Sequence, residues 1–195
     1  MKRICVFCGS NLGAKPIYQQ AAQQLGQTLA KQAIELVYGG GNIGLMGVVA
    51  DAVLAAGGKV TGVMPAALAE KELAHSELTE LHIVNSMHER KALMADLSDG
   101  FIALPGGFGT FEEFCEVLTW TQLGFHQKPC GLLNIAGFYN PLITMFDHAT
   151  AEKFVRPIHR SIVLVDEDPA ILLEKLTAFQ PVTTNKWTSA QTLER

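Results

Sequence analysis

The chain has 195 residues, a formal net charge of -4, 48% hydrophobic and only 17% charged side chains, and a pI near 5.8. Its length fits one domain with a substantial buried interior, and its composition excludes a disordered polyelectrolyte. An acidic chain with no basic run argues against a dedicated nucleic-acid surface.

The longest uncharged stretches, residues 36–50 and 129–146, are interrupted by glycine, proline or asparagine, so no membrane span is expected. The opening MKRICVFCGS has two basic residues, but its apolar run is too short for a signal-peptide core, and a cytoplasmic location is the expectation. Cys5 and Cys8 have CxxC spacing inside a predicted strand rather than at a helix start. Period two sends them to opposite faces, as buried thiols rather than a redox pair. With no second Cys or His pair at ligand spacing, no metal site is expected.

In chain order, short apolar runs at 4–8, 35–38, 59–64, 81–84, 101–104, 131–133 and 162–165 read as strands. Helical periodicity covers 16–32, 44–56, 87–97, 110–123, 141–152 and 169–176. Continuous apolar strands alternating with helices predict an α/β fold, a doubly wound Rossmann-like parallel sheet with helices on both faces. The rhythm holds over a single domain at 1–180 and is lost in a C-terminal tail at 181–195.

In such folds ligands bind beyond the carboxyl ends of the strands. Three loops fall there: Cys8-Gly-Ser-Asn11, Gly39-Gly-Gly-Asn-Ile-Gly44 and Pro105–Thr110. The second matches G-x-G-x-x-G, but no Asp or Glu lies between Ala52 and Ala69 to hold a ribose, which argues against a dinucleotide site. Its glycines serve either a phosphate or only a tight strand-to-helix turn. In the third loop, Gly106, Gly107 and Gly109 permit close backbone approach, and the helix that follows presents unpaired N–H groups and a positive dipole end. That combination makes an anion site.

Thr110-Phe-Glu-Glu113 is also a capping-box pattern, with Thr110 as cap and Glu113 folding back on it. Helical spacing separates the two glutamates. Glu112 shares a face with Glu116 and Thr119 and reads as solvated, whereas Glu113 shares one with Val117 and Trp120 and turns toward a cleft. A carboxylate beside an anion site needs a countercharge or a chemical task. The segment 87–97 supplies the charge: Met87, Met94 and Leu97 form one helical stripe, and Arg90 fills a position within it. Such an arginine is partly buried and must find a carboxylate or phosphate. Lys91 adds a second cation one position round, while His88 and Glu89 fall on the exposed side.

These residues resemble a known family. Met87-His-Glu-Arg-Lys91 followed by Pro105-Gly-Gly-Phe-Gly-Thr-Phe-Glu-Glu113 is similar to the MHxRK and PGGxGTxxE signature of the LOG (lonely guy) family. These are cytokinin riboside 5'-monophosphate phosphoribohydrolases, long mislabelled as lysine decarboxylases. The similarity extends through Cys5–Ser10, Tyr38–Gly47, Thr119–Gly124 and Lys128–Asn134. It implies hydrolysis of the N-glycosidic bond of adenosine 5'-monophosphate, or an N6-substituted relative, to free base and ribose 5-phosphate. It also implies a homodimer with the site near its interface.

Arg90 and Glu113 align with the family's catalytic arginine and glutamate. As an expected mechanism, Glu113 stabilises the ribosyl cation and handles water, Arg90 anchors the ligand, and Gly106, Gly107, Gly109 and Thr110 hold the 5'-phosphate. Ser10, Gly41 and Lys91 are further binding candidates, Met87 packs on the purine, and Glu72 reaches the base or a partner subunit. The chemistry requires no metal or organic cofactor. Two rival readings remain: a nucleotide-binding or carrier module without chemistry, and the decarboxylase, which needs pyridoxal phosphate on a lysine.

Overall fold

A computed structural model describes residues 1–69 and 74–181. Among these residues seven strands form one parallel sheet: β1 (Arg3–Phe7), β2 (Glu35–Tyr38), β3 (Val60–Pro65), β4 (Glu80–Val84), β5 (Gly100–Ala103), β6 (Cys130–Leu133) and β7 (Val163–Asp166), in the order β4-β3-β2-β1-β5-β6-β7. The helices are α1 (Pro16–Lys31), α2 (Gly44–Ala55), α3 (Ala66–Ala69), α4 (Met87–Leu97), α5 (Phe108–Leu123), α6 (Asn140–Ala151), α7 (Pro157–Arg160) and α8 (Pro169–Ala178).

The strand alternation produces two cores, one on each face of the sheet. Ile4, Val6, Leu36, Tyr38, Ile102 and Leu104 pack against α1, α2 and α8. Cys5, Phe7, Val37, Phe101 and Ala103 pack against α4, α5 and the segment around Tyr139. This is the doubly wound arrangement expected from the sequence. Cys5 and Cys8 fall in opposite cores, and all four cysteines are free thiols.

Strand β4 is a sheet edge whose Leu81 and Ile83 are exposed. Four-residue helices α3 and α7 and a 3-10 turn at Ile135–Gly137 are too short to show periodicity. Among the described residues no helix is long and apolar enough to cross a membrane. Glu72 and residues 182–195 of the tail lie outside the described residues.

From β1 the chain winds outward through β2, β3 and β4, then returns to place β5 on the other side of β1. The crevice between the carboxyl ends of β1 and β5 is therefore the topological switch point, where open α/β sheets bind ligands.

Candidate active site

Backbone hydrogen bonds join the loops that meet at this crevice. The Gly9 N–H donates to the Pro105 carbonyl at 3.1 Å, the Leu104 N–H to Phe7 at 2.9 Å, and the Leu45 N–H to Gly9 at 3.0 Å. The buried Tyr139 hydroxyl donates to the Leu104 carbonyl at 2.6 Å. Tyr139 is itself fixed by its N–H, which donates to Asn134 Oδ1 at 2.7 Å. The carbonyls before the glycines are thus held inward, which leaves the glycines toward the cleft.

The helix beyond them starts two residues earlier than its sequence pattern indicated. Gly107, with extended backbone, is the N-cap of α5, and no side chain caps it. The first backbone bond of the helix runs from Phe111 N–H to the Gly107 carbonyl. The N–H groups of Phe108, Gly109 and Thr110 therefore have no helical acceptor, and they stand at the positive end of a 16-residue helix.

This corrects the capping-box expectation. Thr110 is the third residue of the helix rather than its cap, and its buried hydroxyl lies against Gly106, where a Cβ would collide with it. Glu113 makes no capping bond and turns toward Arg90.

Arg90 sits in the apolar stripe and is 9% exposed. Its Nε donates to the Val63 carbonyl at 3.1 Å and its Nη2 to the Gly39 carbonyl at 3.2 Å. Its Nη1 faces Met87 Sδ at 3.8 Å and Glu113 Oε1 at 3.8 Å. The glycine at position 39 is a requirement of space, because a Cβ there would occupy the guanidinium position.

The Arg90–Glu113 separation exceeds hydrogen-bond length, so the arginine only partly offsets the cost of burying a carboxylate. Burial dominates and pushes the Glu113 carboxyl up to about 7, with Arg90 pulling the other way. A carboxyl poised near neutrality in a cleft is suited to proton transfer.

Cys8, Gly9, Ser10, Met46, Arg90, Gly107, Phe108, Gly109, Thr110 and Glu113 line this cleft, whose volume is about 240 Å3. A larger hollow of about 630 Å3, between Lys2, Glu35, Lys59 and Asp99, lies at the amino edge of the sheet, away from the switch point. Of the residues singled out in the sequence, the cleft brings together Ser10, Arg90, Gly107, Gly109, Thr110 and Glu113. Gly106 adjoins it under Thr110. Met87 stands beside Arg90, 42% exposed.

The other candidates have different surroundings. Gly41 is buried and bridges to Ala74. The Lys91 ammonium is bound by Glu112 at 2.5 Å and Glu116 at 3.0 Å. Sequence reasoning missed four lining residues. Cys8 and Gly9 carried a signal, since they belong to a flagged loop. Met46, inside an apolar helix, and Phe108, the variable position of its motif, carried none.

A family model described as "Possible lysine decarboxylase" matches residues 46–176. Pyridoxal phosphate chemistry needs a lysine for its Schiff base. No lysine is among the described residues lining the cleft, and the Lys91 amine is held by two carboxylates, so the cleft does not fit that cofactor. The chain is 49% identical over 195 residues to a probable cytokinin riboside 5'-monophosphate phosphoribohydrolase, LOGL2, of Oryza sativa subsp. japonica, covering 97% of this chain and 80% of the relative. It is 51% identical over 180 residues to the cytokinin riboside 5'-monophosphate phosphoribohydrolase LOG7 of Arabidopsis thaliana, covering 92% and 83%. Among solved structures, the molybdenum cofactor carrier protein of Chlamydomonas reinhardtii superposes with a TM-score of 0.69 at 21% identity, over 91% of this chain and 99% of that one; at that identity the likeness speaks for the fold alone. The chain belongs to the LOG family of cytokinin riboside 5'-monophosphate phosphoribohydrolases, which are N-glycosyl hydrolases.

Proposed function

We propose that this chain hydrolyses the N-glycosidic bond of adenosine 5'-monophosphate or an N6-substituted relative, releasing free base and ribose 5-phosphate. The observation that carries the reading is the buried Glu113 carboxyl, pushed up to about 7 by its burial and 3.8 Å from Arg90, one turn beyond three unpartnered N–H groups. The 5'-phosphate binds those N–H groups of Phe108, Gly109 and Thr110. Gly107 and Gly109 have nothing within 4 Å of where a Cβ would stand, so their bareness leaves room for a ligand rather than for neighbouring protein.

With the phosphate there, the ribose lies over Glu113. As the bond from the anomeric carbon to the base nitrogen breaks, positive charge grows on the ring and is stabilised by the carboxylate. Glu113 takes a proton from water as the new carbon–oxygen bond forms. The base leaves with the bonding electron pair and takes up a proton from solvent, to which Glu113 returns the proton it took from the attacking water. Arg90, anchored by two carbonyls, presents Nη1 to the developing negative charge. Ser10 and Met87 contact the nucleotide from the cleft walls.

The cleft is smaller than the roughly 300–1,000 Å3 usual for small-molecule sites, and Phe108 at its rim is 92% exposed. A second copy of the chain completes the wall and covers Phe108 and Met87. Light scattering giving a monomer at micromolar concentration would remove the dimer from the account. Incubation with AMP and with N6-isopentenyl-AMP, followed by chromatography of the free bases, tests the hydrolysis. Intact nucleotide that nonetheless binds would favour a carrier.

A further inference from the structure

Two charged layers join α4 to α5. In the inner one, Arg90 faces Glu113 at 3.8 Å. In the outer one, a single residue along α4, the Lys91 ammonium donates to Glu112 Oε1 at 2.5 Å and to Glu116 Oε1 at 3.1 Å. Lys91 is 11% exposed, against 53% for Glu112 and 26% for Glu116. The amine is thus sunk between the helices and held by the two carboxylates, not presented to the cleft. Residues adjacent to both members of the inner pair are thereby fastened to one another.

The spacing of the inner pair matters chemically. If the helices closed, Arg90 would form a direct ion pair with Glu113 and make it a weaker base. If they parted, Arg90 would lose the carboxylate and any ligand between them. Arg90 cannot set the gap alone, because its bonds from Nε to the Val63 carbonyl and from Nη2 to the Gly39 carbonyl fix it to the sheet and not to α5. Among the described residues the Glu113 carboxylate accepts no hydrogen bond, so its place follows that of α5.

We propose that Lys91, Glu112 and Glu116 are positioning residues, a clamp that fixes α4 against α5 and so sets the Arg90–Glu113 gap without touching the nucleotide. This rests on the reading of Arg90 and Glu113 as the reacting pair. The electrostatics support it. The charged or titratable groups facing Glu113 are Arg90 and Lys91 from α4, Glu112 and Glu116 from its own helix, the Cys5 thiol from β1 and the Cys8 thiol from the loop that follows it. The two glutamates raise the Glu113 carboxyl while Lys91 lowers it, so the bare loss of either charge would move that carboxyl in opposite directions, whereas opening the gap to Arg90 moves it one way only. Burial works against the charge on Lys91, yet its bonds to Glu112 and Glu116 hold the amine above the ordinary lysine range.

The test uses two variants of the full chain, Lys91→Met and the double variant Glu112→Gln/Glu116→Gln. The Glu113 carboxyl is titrated by difference infrared spectroscopy against Glu113→Gln, which needs no substrate and no activity. With the clamp opened from either side α4 and α5 part and Glu113 loses the Arg90 charge, so this titration moves up in both variants, by at least about half a pH unit in Lys91→Met, whereas loss of charge alone would move it down in the double variant. In turnover, Lys91→Met loses about tenfold in kcat at neutral pH, while KM for AMP stays within about threefold. A titration unmoved in Lys91→Met, or moved down in the double variant, overturns the clamp, whether the variants melt lower or KM alone rises about tenfold, the mark of a lysine that binds phosphate. Should the parent chain release no base, the hydrolase reading fails, while the titration still decides the clamp.

Discussion

The loops after β2 and β5 are both glycine-rich turns from a strand into a helix, yet their glycines meet different surroundings. In the first, a Cβ on Gly39 would displace Arg90, and one on Gly44, whose φ is +63°, would run into the Ser10 and Asn11 backbone. In the second, Gly107 and Gly109 face open space. The first loop is closed by packing and serves the site indirectly, by accepting Arg90 on the Gly39 carbonyl. The second keeps its bare backbone and unpaired N–H groups for a ligand. Glycine content does not distinguish them; what lies opposite each missing Cβ does.

Alanine substitution breaks or sharpens this comparison most directly. Gly44→Ala combines a left-handed backbone with a backbone collision, and should destabilise by about 3 kcal/mol or more, read as a fall in the urea midpoint. A stability equal to the parent chain would show that the first loop is not closed by packing.

The next effect belongs to Glu113. Its folded carboxyl, near 7, lies above the ordinary 4.5, so the folded state binds more protons than the unfolded state between those values. Its contribution is therefore complete below about pH 4.5 and is lost as pH rises through 7. Relative to Glu113→Gln, the parent chain should lose up to about 3 kcal/mol between pH 4.5 and pH 8 in denaturant titrations. Parallel pH curves for the two proteins would refute the raised carboxyl. The same group makes kcat/KM fall below about pH 7 if its ionised form is the base.

Gly109→Ala is the counterpart of Gly44→Ala. It should be neutral or stabilising by up to about 1 kcal/mol, since alanine favours a helix and meets no atom. It should nevertheless raise KM for AMP about tenfold by filling ligand space. An unchanged KM would leave the second loop without its distinction. Tyr139→Phe should give the smallest effect, about 1 kcal/mol in stability and a few-fold loss in phosphate affinity, as the Leu104 carbonyl is released.

Much of this was legible in the sequence because it depends on period and position. Strand alternation placed Cys5 and Cys8 on opposite faces, and helical spacing separated Glu112, 53% exposed, from Glu113, 12% exposed. Arg90 stood out as a charge within an apolar stripe. What stayed hidden depends on contacts between distant segments. The start of α5 lies two residues before its sequence signature because Thr110 offers a capping pattern, whereas Gly107 adopts the extended cap conformation and Thr110 packs beneath Gly106. The direction of Lys91 was not readable, since one step round a helix decides between the cleft and the carboxylates of α5. The role of Gly39 emerges only once β2 and α4 are side by side.

The most direct test of the central claim is release of base by the intact chain. Purified protein incubated with N6-isopentenyl-AMP or AMP should yield free base and ribose 5-phosphate in equal amounts, and Glu113→Gln should lower that rate by about a hundredfold or more. Nucleotide recovered intact from the parent protein, or equal rates from the parent and Glu113→Gln, would contradict the account.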